Sequence, residues 1–313
     1  MLDSTTNQEA GASTAAVHSE LFDTPSGPVE LRVAATGHRY VWPRPTAEEL
    51  AEIYGEDYYA SDKPAYFEKT ERELEYWDGV WDLRRQILED ALPVATRPRR
   101  ILDVGCAGGF LLDTFRRGGW EVSGVEPSRR AVEYARERFG LDLFCGPLEE
   151  YQPEEKVDAI HASQVLEHVL DPVAFAERMS ELLNPGGVVF IESPNEFNPL
   201  QTAVAECLDK SAWWIVPRHH LNYFDYDSLS GVLAQAGLVE VERLATFPVE
   251  LLALMGKDYV GASEVGREVH QMRMDFEGHM LGSGHGEDLR TMYRQLAAAG
   301  MGRTACIVAR KES

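Results

Sequence analysis

Three glycines, Gly105, Gly108 and Gly109, fall within five positions of one another. They stand between the strand-like run "RILDV" and the helix-like run "FLLDTFRR". Glycine loses more backbone freedom on folding than any other residue, so such a cluster marks a chain that turns tightly or lets something approach closely. A helix opening at 110 presents free N–H groups at that point. Glu126 ends the next strand-like run, 21 positions after Gly105. That is the spacing at which an acid reaches ribose hydroxyls in α/β folds. A carboxylate only accepts hydrogen bonds, so it suits a vicinal diol and repels a 2′-phosphate. Turn and acid together read as a nucleoside site. The plainer alternative is a tight strand–helix turn with a surface glutamate.

A second group of reactive side chains lies further on. Glu167 and His168 stand in "QVLEH", and His219, His220 and Tyr223 in "PRHHLNYF". Histidine titrates near neutrality and suits general-base work. His219 or His220 is the favoured base, with Glu167 next. The competing readings are a capped or braced loop for Glu167 and His168, and a purely structural role for one of the paired histidines. Nothing in the spacing of Glu167, His219 and His220 demands a metal, so no metal ligand is assigned. Trp213 and Trp214 line an apolar or sugar-stacking pocket, pack in the core or form a dimer face. Tyr58, Tyr59, Tyr66 and Phe67 either cover the reacting group or form a packing stripe.

These residues need elements to position them. Residues 29–42 hold two short strand candidates. Thr46 and Glu49 form a capping-box pattern that opens a short helix. Residues 64–91 follow a helical pattern rich in aromatics. From residue 100, short strands and helices alternate: "RILDVG", "EVSGVEPS", "LDLFCG", "VDAIHAS", "VVFIESPN" and "LVEVERLATF" read as strands, with helical runs between most of them. Such alternation calls for a mainly parallel sheet covered on both faces. A helical stretch fills residues 248–302, and "TACIVARK" is the last strand candidate.

Composition narrows the function. The chain has 313 residues, is 44% hydrophobic and carries a formal net charge of −22. That charge argues against a nucleic-acid-tracking surface, which needs a basic stripe, and against an anionic membrane surface. No apolar run is long enough to span a bilayer. The cysteines Cys106, Cys145, Cys207 and Cys306 are scattered, so no disulfide framework or zinc cluster is expected and a cytoplasmic setting is the default. Residues 1–28 read as a disordered leader rich in Ser, Thr and Ala.

The motifs resemble those of class I S-adenosylmethionine-dependent methyltransferases. "DVGCAGG" is similar to their DxGxGxG signature, with Ala107 in place of the middle glycine. "GVEPS", "CGPLEEY", "DAIHASQVLEHVLDP" and "LNPGGVVFIESPN" resemble the family's later motifs. "RHHLNYFDYDSLSGVLAQAGL" and the lead-in "RYVWPRPTAEELAEIYGEDYY" resemble a subgroup acting on sugars and other small molecules. In that subgroup a cysteine zinc ribbon often comes first; its cysteines are missing here, so no zinc is expected. The resemblance covers about residues 38–247.

It implies an α/β, Rossmann-like, doubly wound fold. A mainly parallel sheet of about seven strands is expected, with an N-terminal helical lid and a helical insertion before the last strand. The implied divisions are the leader 1–28, a lid and substrate segment 29–98, a cofactor-binding core 99–247, and 248–313 as insertion plus last strand. The insertion serves as substrate cap or dimer element. S-adenosylmethionine is the implied cofactor and S-adenosylhomocysteine its product. The resemblance places Gly105, Cys106, Ala107 and Gly108 against the methionine part and ribose. Asp103 supports the turn or the ammonium group. Glu126 holds the ribose hydroxyls, Pro127 and Leu148 flank the adenine, and the backbone of Ser163 or Gln164 approaches the amino-acid end. The implied reaction moves a methyl group to O, N or C of a small metabolite, such as a sugar or a natural-product intermediate of secondary metabolism. The alternative is C-methylation of a prenyl diphosphate alkene with a carboxylate base. A nicotinamide dehydrogenase and a non-catalytic nucleoside-binding module fit less well. No nucleic-acid or membrane partner is expected, and a homodimer is compatible.

Overall fold

The computed structural model describes residues 16–54, 59, 63–94 and 96–312. The chain opens with strands β1 (Ala16–Thr24), β2 (Gly27–Ala34) and β3 (Arg39–Val41), followed by helices α1 (Ala47–Tyr54), α2 (Tyr66–Arg72) and α3 (Leu74–Ala91). The central region runs β4 (Arg100–Val104), α4 (Phe110–Arg117), β5 (Glu121–Glu126), α5 (Arg129–Phe139), β6 (Phe144–Cys145), β7 (Val157–Ser163), α6 (Pro172–Leu182) and β8 (Leu183–Pro194). Then come α7 (Pro199–Cys207), β9 (Asn222–Tyr223), α8 (Tyr226–Gln235), β10 (Leu238–Ala245), α9 (Glu250–Leu254), α10 (Ser263–Gly282), α11 (Gly286–Ala298) and β11 (Thr304–Lys311).

Seven strands form the main sheet in the order β10-β11-β8-β7-β4-β5-β6. The pairs among β4–β8 are parallel, whereas β11 runs antiparallel to both β8 and β10. This is the expected α/β arrangement. The strand order reverses between β4 and β7, and α/β sheets bind ligands at such a switch point, beyond the C-terminal ends of the strands. The strands sit between layers, so their apolar residues are buried: Ile101, Leu102, Ile160, Val189 and Ile191 have no exposed surface. Each such side chain contributes about 1.5–3 kcal/mol through burial.

Local chemistry explains most boundaries. Thr46 and Glu49 close the expected capping box, with Glu49 accepting from Thr46 N at 2.7 Å and Glu49 N donating to Thr46 Oγ1 at 3.2 Å. Asp171 caps α6, accepting from Val173 N and Ala174 N, with Pro172 pre-set at the first helical position. Asp225 and Ser228 form a second capping box at α8. Helix α6 stops at Leu182, and Leu183 already belongs to β8.

The N-terminal region departs from expectation. Within the predicted leader 1–28, residues 1–15 lie outside the described residues, but Ala16–Thr24 pairs antiparallel with β2. The turn is Pro25-Ser26. Gly27 follows it at φ 105°, and Thr24 Oγ1 donates to Gly27 O at 2.7 Å. Proline and glycine at such positions favour a hairpin. The lid is therefore not purely helical: β1, β2 and β3 join β9 in a separate four-stranded sheet. This sheet has its own core of Leu31, Val41, Trp214, Ile215 and Tyr223. Trp213 and Trp214, at 4.8 Å between ring centroids, pack here.

The insertion 248–302 is fastened to the rest of the chain. Buried Glu277 on α10 accepts from Tyr76 on α3, from Tyr293 on α11 and from Arg273. Arg290 grips Glu242 of β10 with two bonds, at 3.0 and 2.6 Å, and also reaches Asp90 of α3. Among the described residues no helix is long and apolar enough to cross a membrane.

Candidate functional site

The glycine turn closes through left-handed backbone at Gly105 (φ 69°), Ala107 (φ 47°) and Gly109 (φ 75°). A Cβ on Gly105 would stand 2.7 Å from Val165 Cγ2, so glycine is required there for space as well as conformation. Ala107 takes a conformation that costs a residue with a Cβ about 1–2 kcal/mol. The N–H groups of Gly105 and Cys106 both donate to Val125 O, and that of Gly109 donates to Cys106 O. Ala107 N donates to Glu126 Oε2 at 2.9 Å, and Ser128 N to Glu126 Oε1 at 2.9 Å. The turn's own donors are thus largely engaged internally.

Asp103 and Glu126 are both buried, at 4% and 5% exposure. Burial raises the Glu126 carboxyl to about 7, against the lowering effect of its two backbone N–H partners. Burial, with the Asp103 and Glu126 charges nearby, also pushes the Cys106 thiol well up, so it stays neutral. Tyr66 lies within reach of the same two carboxylates, and its phenol is pushed up by burial and by their charges. Phe67 stacks on Tyr134 at 4.2 Å, and a Cβ on Gly108 would meet both rings at about 3 Å. The aromatics of the N-terminal segment therefore lie over the turn, with Tyr59 packed on Phe67 at 5.1 Å. Tyr58 lies outside the described residues. Pro127 is exposed beside the turn, and Leu148 is buried in the main core at 2% exposure.

Under the turn runs a polar chain that sequence reading missed. His161 Nδ1 stands 2.7 Å from Asp103 Oδ1, and Arg84 reaches His161 Nε2 at 3.0 Å and Glu192 Oε2 at 2.5 Å. Ser163 Oγ and Thr304 Oγ1 also donate to Glu192, at 2.6 and 2.9 Å. Burial opposes ionisation of Glu192, but Arg84 and these hydroxyls outweigh it and hold the carboxyl at about 2. Strand register builds the chain: Asp103 pairs with His161, and Ser163 with Glu192. Gln164, in left-handed backbone at φ 57°, donates its N–H to Glu192 O at 2.8 Å. The Ser163 hydroxyl and the Gln164 N–H thus both serve Glu192. The available signal was a polar residue within a buried parallel strand, which is costly unless partnered.

The second group assembles beyond the ends of β7 and β8. Leu166–His168 forms a 3-10 turn. Asn222 Nδ2 donates to Leu166 O at 3.0 Å and to Val169 O at 2.8 Å, and Leu221 N donates to Glu167 O at 2.6 Å. These bonds clamp the 220–222 segment onto the turn. The side chains brought together are Glu167, His168 and His220. The backbone carbonyl of His219 accepts the Nδ1–H of His168 at 2.6 Å, and the His219 side chain acts electrostatically on both His168 and His220. Glu167 is 1% exposed; Ser193 Oγ donates to its Oε2 at 2.9 Å, while Oε1 has no hydrogen-bond partner among the described groups. Burial raises the Glu167 carboxyl to about 8 and lowers His168 to about 4 and His220 to about 3. The imidazoles are neutral in this environment.

A family model described as a methyltransferase domain matches residues 71–243, more than half of the chain. The chain belongs to the methyltransferase domain family. The matched span of this methyltransferase domain carries the glycine turn, Glu126 and the Glu167–His168 turn. Among curated proteins, a ubiquinone biosynthesis O-methyltransferase of Bradyrhizobium sp. (strain ORS 278) is 37% identical over 101 residues, which is 31% of this chain and 40% of that protein. One from Chelativorans sp. (strain BNC1) is 34% identical over 167 residues, 48% of this chain and 64% of that one. This chain therefore spans less than two thirds of either relative. Among solved structures, Haemonchus contortus phosphoethanolamine N-methyltransferase 2 in complex with S-adenosyl-L-methionine is similar, with a TM-score of 0.47 and 19% identity, covering 74% of this chain and 53% of that one.

Proposed function

We propose that the protein transfers a methyl group from S-adenosylmethionine to a hydroxyl oxygen of a small metabolite. The observation that carries the cofactor reading is the turn's hydrogen bonding. Pyrophosphate sites need free backbone N–H groups. Here those of Gly105, Cys106, Ala107 and Gly109 are engaged, and two buried carboxylates, Asp103 and Glu126, flank the turn. Such a site disfavours a dinucleotide and favours an adenosyl group with a cationic tail. Gly105, Cys106, Ala107 and Gly108 give the close backbone approach, and Glu126 accepts from the ribose diol. Pro127 and Leu148 stand on the adenine side, and Ser163 and Gln164 at the amino-acid end. Tyr66 and Phe67 cover the site and must part to admit the cofactor.

The sulfonium methyl is already activated, so the protein's main work is positioning, which supplies on the order of 7–11 kcal/mol. A hydroxyl nucleophile also gives up its proton, and Glu167, His168 and His220 supply the polar groups that receive the acceptor. The name of the Bradyrhizobium and Chelativorans relatives, an O-methyltransferase, favours oxygen over nitrogen or carbon.

Calorimetry with S-adenosylhomocysteine tests the reading. Wild-type protein should bind it and ignore NADH. Glu126→Ala should lose about 10- to 150-fold in affinity, the loss expected for hydrogen bonds to a charged group. Binding of NADH in place of S-adenosylhomocysteine would overturn the proposal.

A further inference from the structure

We propose that Glu196, Gln201 and Glu250 bind a protonated amine, and that the methyl acceptor is accordingly an amino alcohol. Glu196 follows β8 by two residues, Gln201 stands on α7, and Glu250 opens α9. Gln201 Nε2 donates to Glu196 Oε2 at 2.6 Å. Glu250 Oε1 accepts from Arg303 at 3.0 Å and from the Tyr259 hydroxyl at 3.2 Å. These groups adjoin the acceptor end of the molecule. The Glu250 charge acts on Glu196, that of Glu196 on Glu167, and that of Arg303 on His220.

Two observations point to a ligand. Gln201 and Glu250 have no exposed surface, yet Gln201 Oε1 and Glu250 Oε2 have no hydrogen-bond partner among the described groups. Orphaned polar atoms in the interior are costly. Both atoms are acceptors, carried on different helices, so what satisfies them is a donor. The charges are short of balance as well. Glu196 and Glu250 share the charge of Arg303, which donates to Glu250. Burial, together with the Glu250 charge, raises the Glu196 carboxyl to about 7 against the pull of Arg303 and Gln201. A buried carboxylate pair sharing one guanidinium is stabilised by a further cation.

The chemistry of the ligand follows. An ammonium group brings three donors and one positive charge. A hydroxyl brings a donor without the charge, and a quaternary ammonium brings the charge without a donor. Glu250 and Tyr259 belong to the insertion 248–302, which thereby takes part in reading the acceptor. Amine binding needs no methyl transfer. That the bound molecule is the methyl acceptor, with its hydroxyl at Glu167 and His220, rests on the proposed function.

Full-length protein in excess S-adenosylhomocysteine is titrated with trans-2-aminocyclohexanol and with trans-cyclohexane-1,2-diol, and binding is followed by saturation-transfer NMR. The amine should bind at least about tenfold tighter, as hydrogen bonds to charged groups allow. Glu250→Gln keeps an acceptor for Arg303 and Tyr259 but removes the charge, and should abolish that preference. Gln201→Met removes the unmatched oxygen and should weaken amine binding. S-adenosylhomocysteine binding by each variant shows that it is folded, and Gln201→Met keeps the test open if Glu250→Gln does not fold. Equal affinities for the two probes, no saturable binding of the amine, or a preference retained in Glu250→Gln would overturn the site and leave the methyl-transfer reading standing. Amine preference in a wild type that does not bind S-adenosylhomocysteine would instead sink the methyl-transfer reading and leave the amine site in place.

Discussion

The glycine turn with Glu126 and the Glu167–His168–His220 group are built in opposite ways. The first spans one strand, one turn and the next strand, and its polar atoms are matched inside it: Ala107 N and Ser128 N each serve one oxygen of Glu126. The second draws on three chain segments and leaves Glu167 Oε1 and His220 Nδ1 without partners. With the roles proposed above, the cofactor site is completed locally, whereas the acceptor site is completed only by distant contacts and keeps unmatched polar groups.

Four measurements break or sharpen this contrast. The largest effect is expected at the open group. Glu167→Gln should lower the methyl-transfer rate by about 10²–10⁴, the usual worth of a group that handles the nucleophile's proton. Its S-adenosylhomocysteine affinity should be unchanged. Equal losses in rate and affinity would mean that the two regions are one site.

The next effect lies in pH. The ligand-free fold raises Glu126 to about 7, and only the ionised form accepts from both ribose hydroxyls. Adenosyl affinity should therefore fall as pH drops below about 7, by up to about tenfold per unit toward the ordinary carboxylate range. The sign for stability is opposite. A raised carboxyl pKa favours the ligand-free fold below about 4.5, and that contribution is lost as pH rises through 7. Calorimetry in buffers of different ionisation enthalpy should detect proton release on binding near neutral pH. Affinity flat between pH 5 and 8 would show that Glu126 does not meet the ribose.

A smaller effect is expected at the clamp. Asn222→Ala leaves the Leu166 and Val169 carbonyls buried without their donor, which costs about 1–3 kcal/mol. Thermal unfolding should show that loss, and transfer should weaken more than adenosyl binding. The smallest belongs to the turn. Ala107→Gly relieves a left-handed alanine and restores the glycine of the DxGxGxG pattern, but it frees the unfolded chain. The two effects nearly cancel, and stability should change by less than about 1 kcal/mol. A large destabilisation would show that the Ala107 methyl is a packing element.

Much of the fold was legible before any coordinates. The strands from 100 onward, the helix caps at Thr46 and Glu49, and the pairing of the turn with Glu126 all depend on residues close in sequence. The β1–β2 hairpin was missed because its first strand, "AVHSELFDT", is mostly polar and leans on Phe197 and the Trp213–Trp214 loop for its apolar contacts. The Asp103–His161–Arg84–Glu192 chain was missed because its members come from three strands and a helix, and only sheet register lines them up.

The sequence alone determined the alternating α/β core and the glycine turn with its paired acid, Glu126. Hydrophobic period, glycine placement and strand-to-acid spacing act within a few dozen residues and need no distant partner. Tertiary structure decided that His168 stands with Glu167 and His220, with the His219 carbonyl holding its ring. Adjacent histidines look equivalent along the chain. Which one turns inward depends on a backbone carbonyl, an asparagine clamp and a strand edge contributed from elsewhere in the fold.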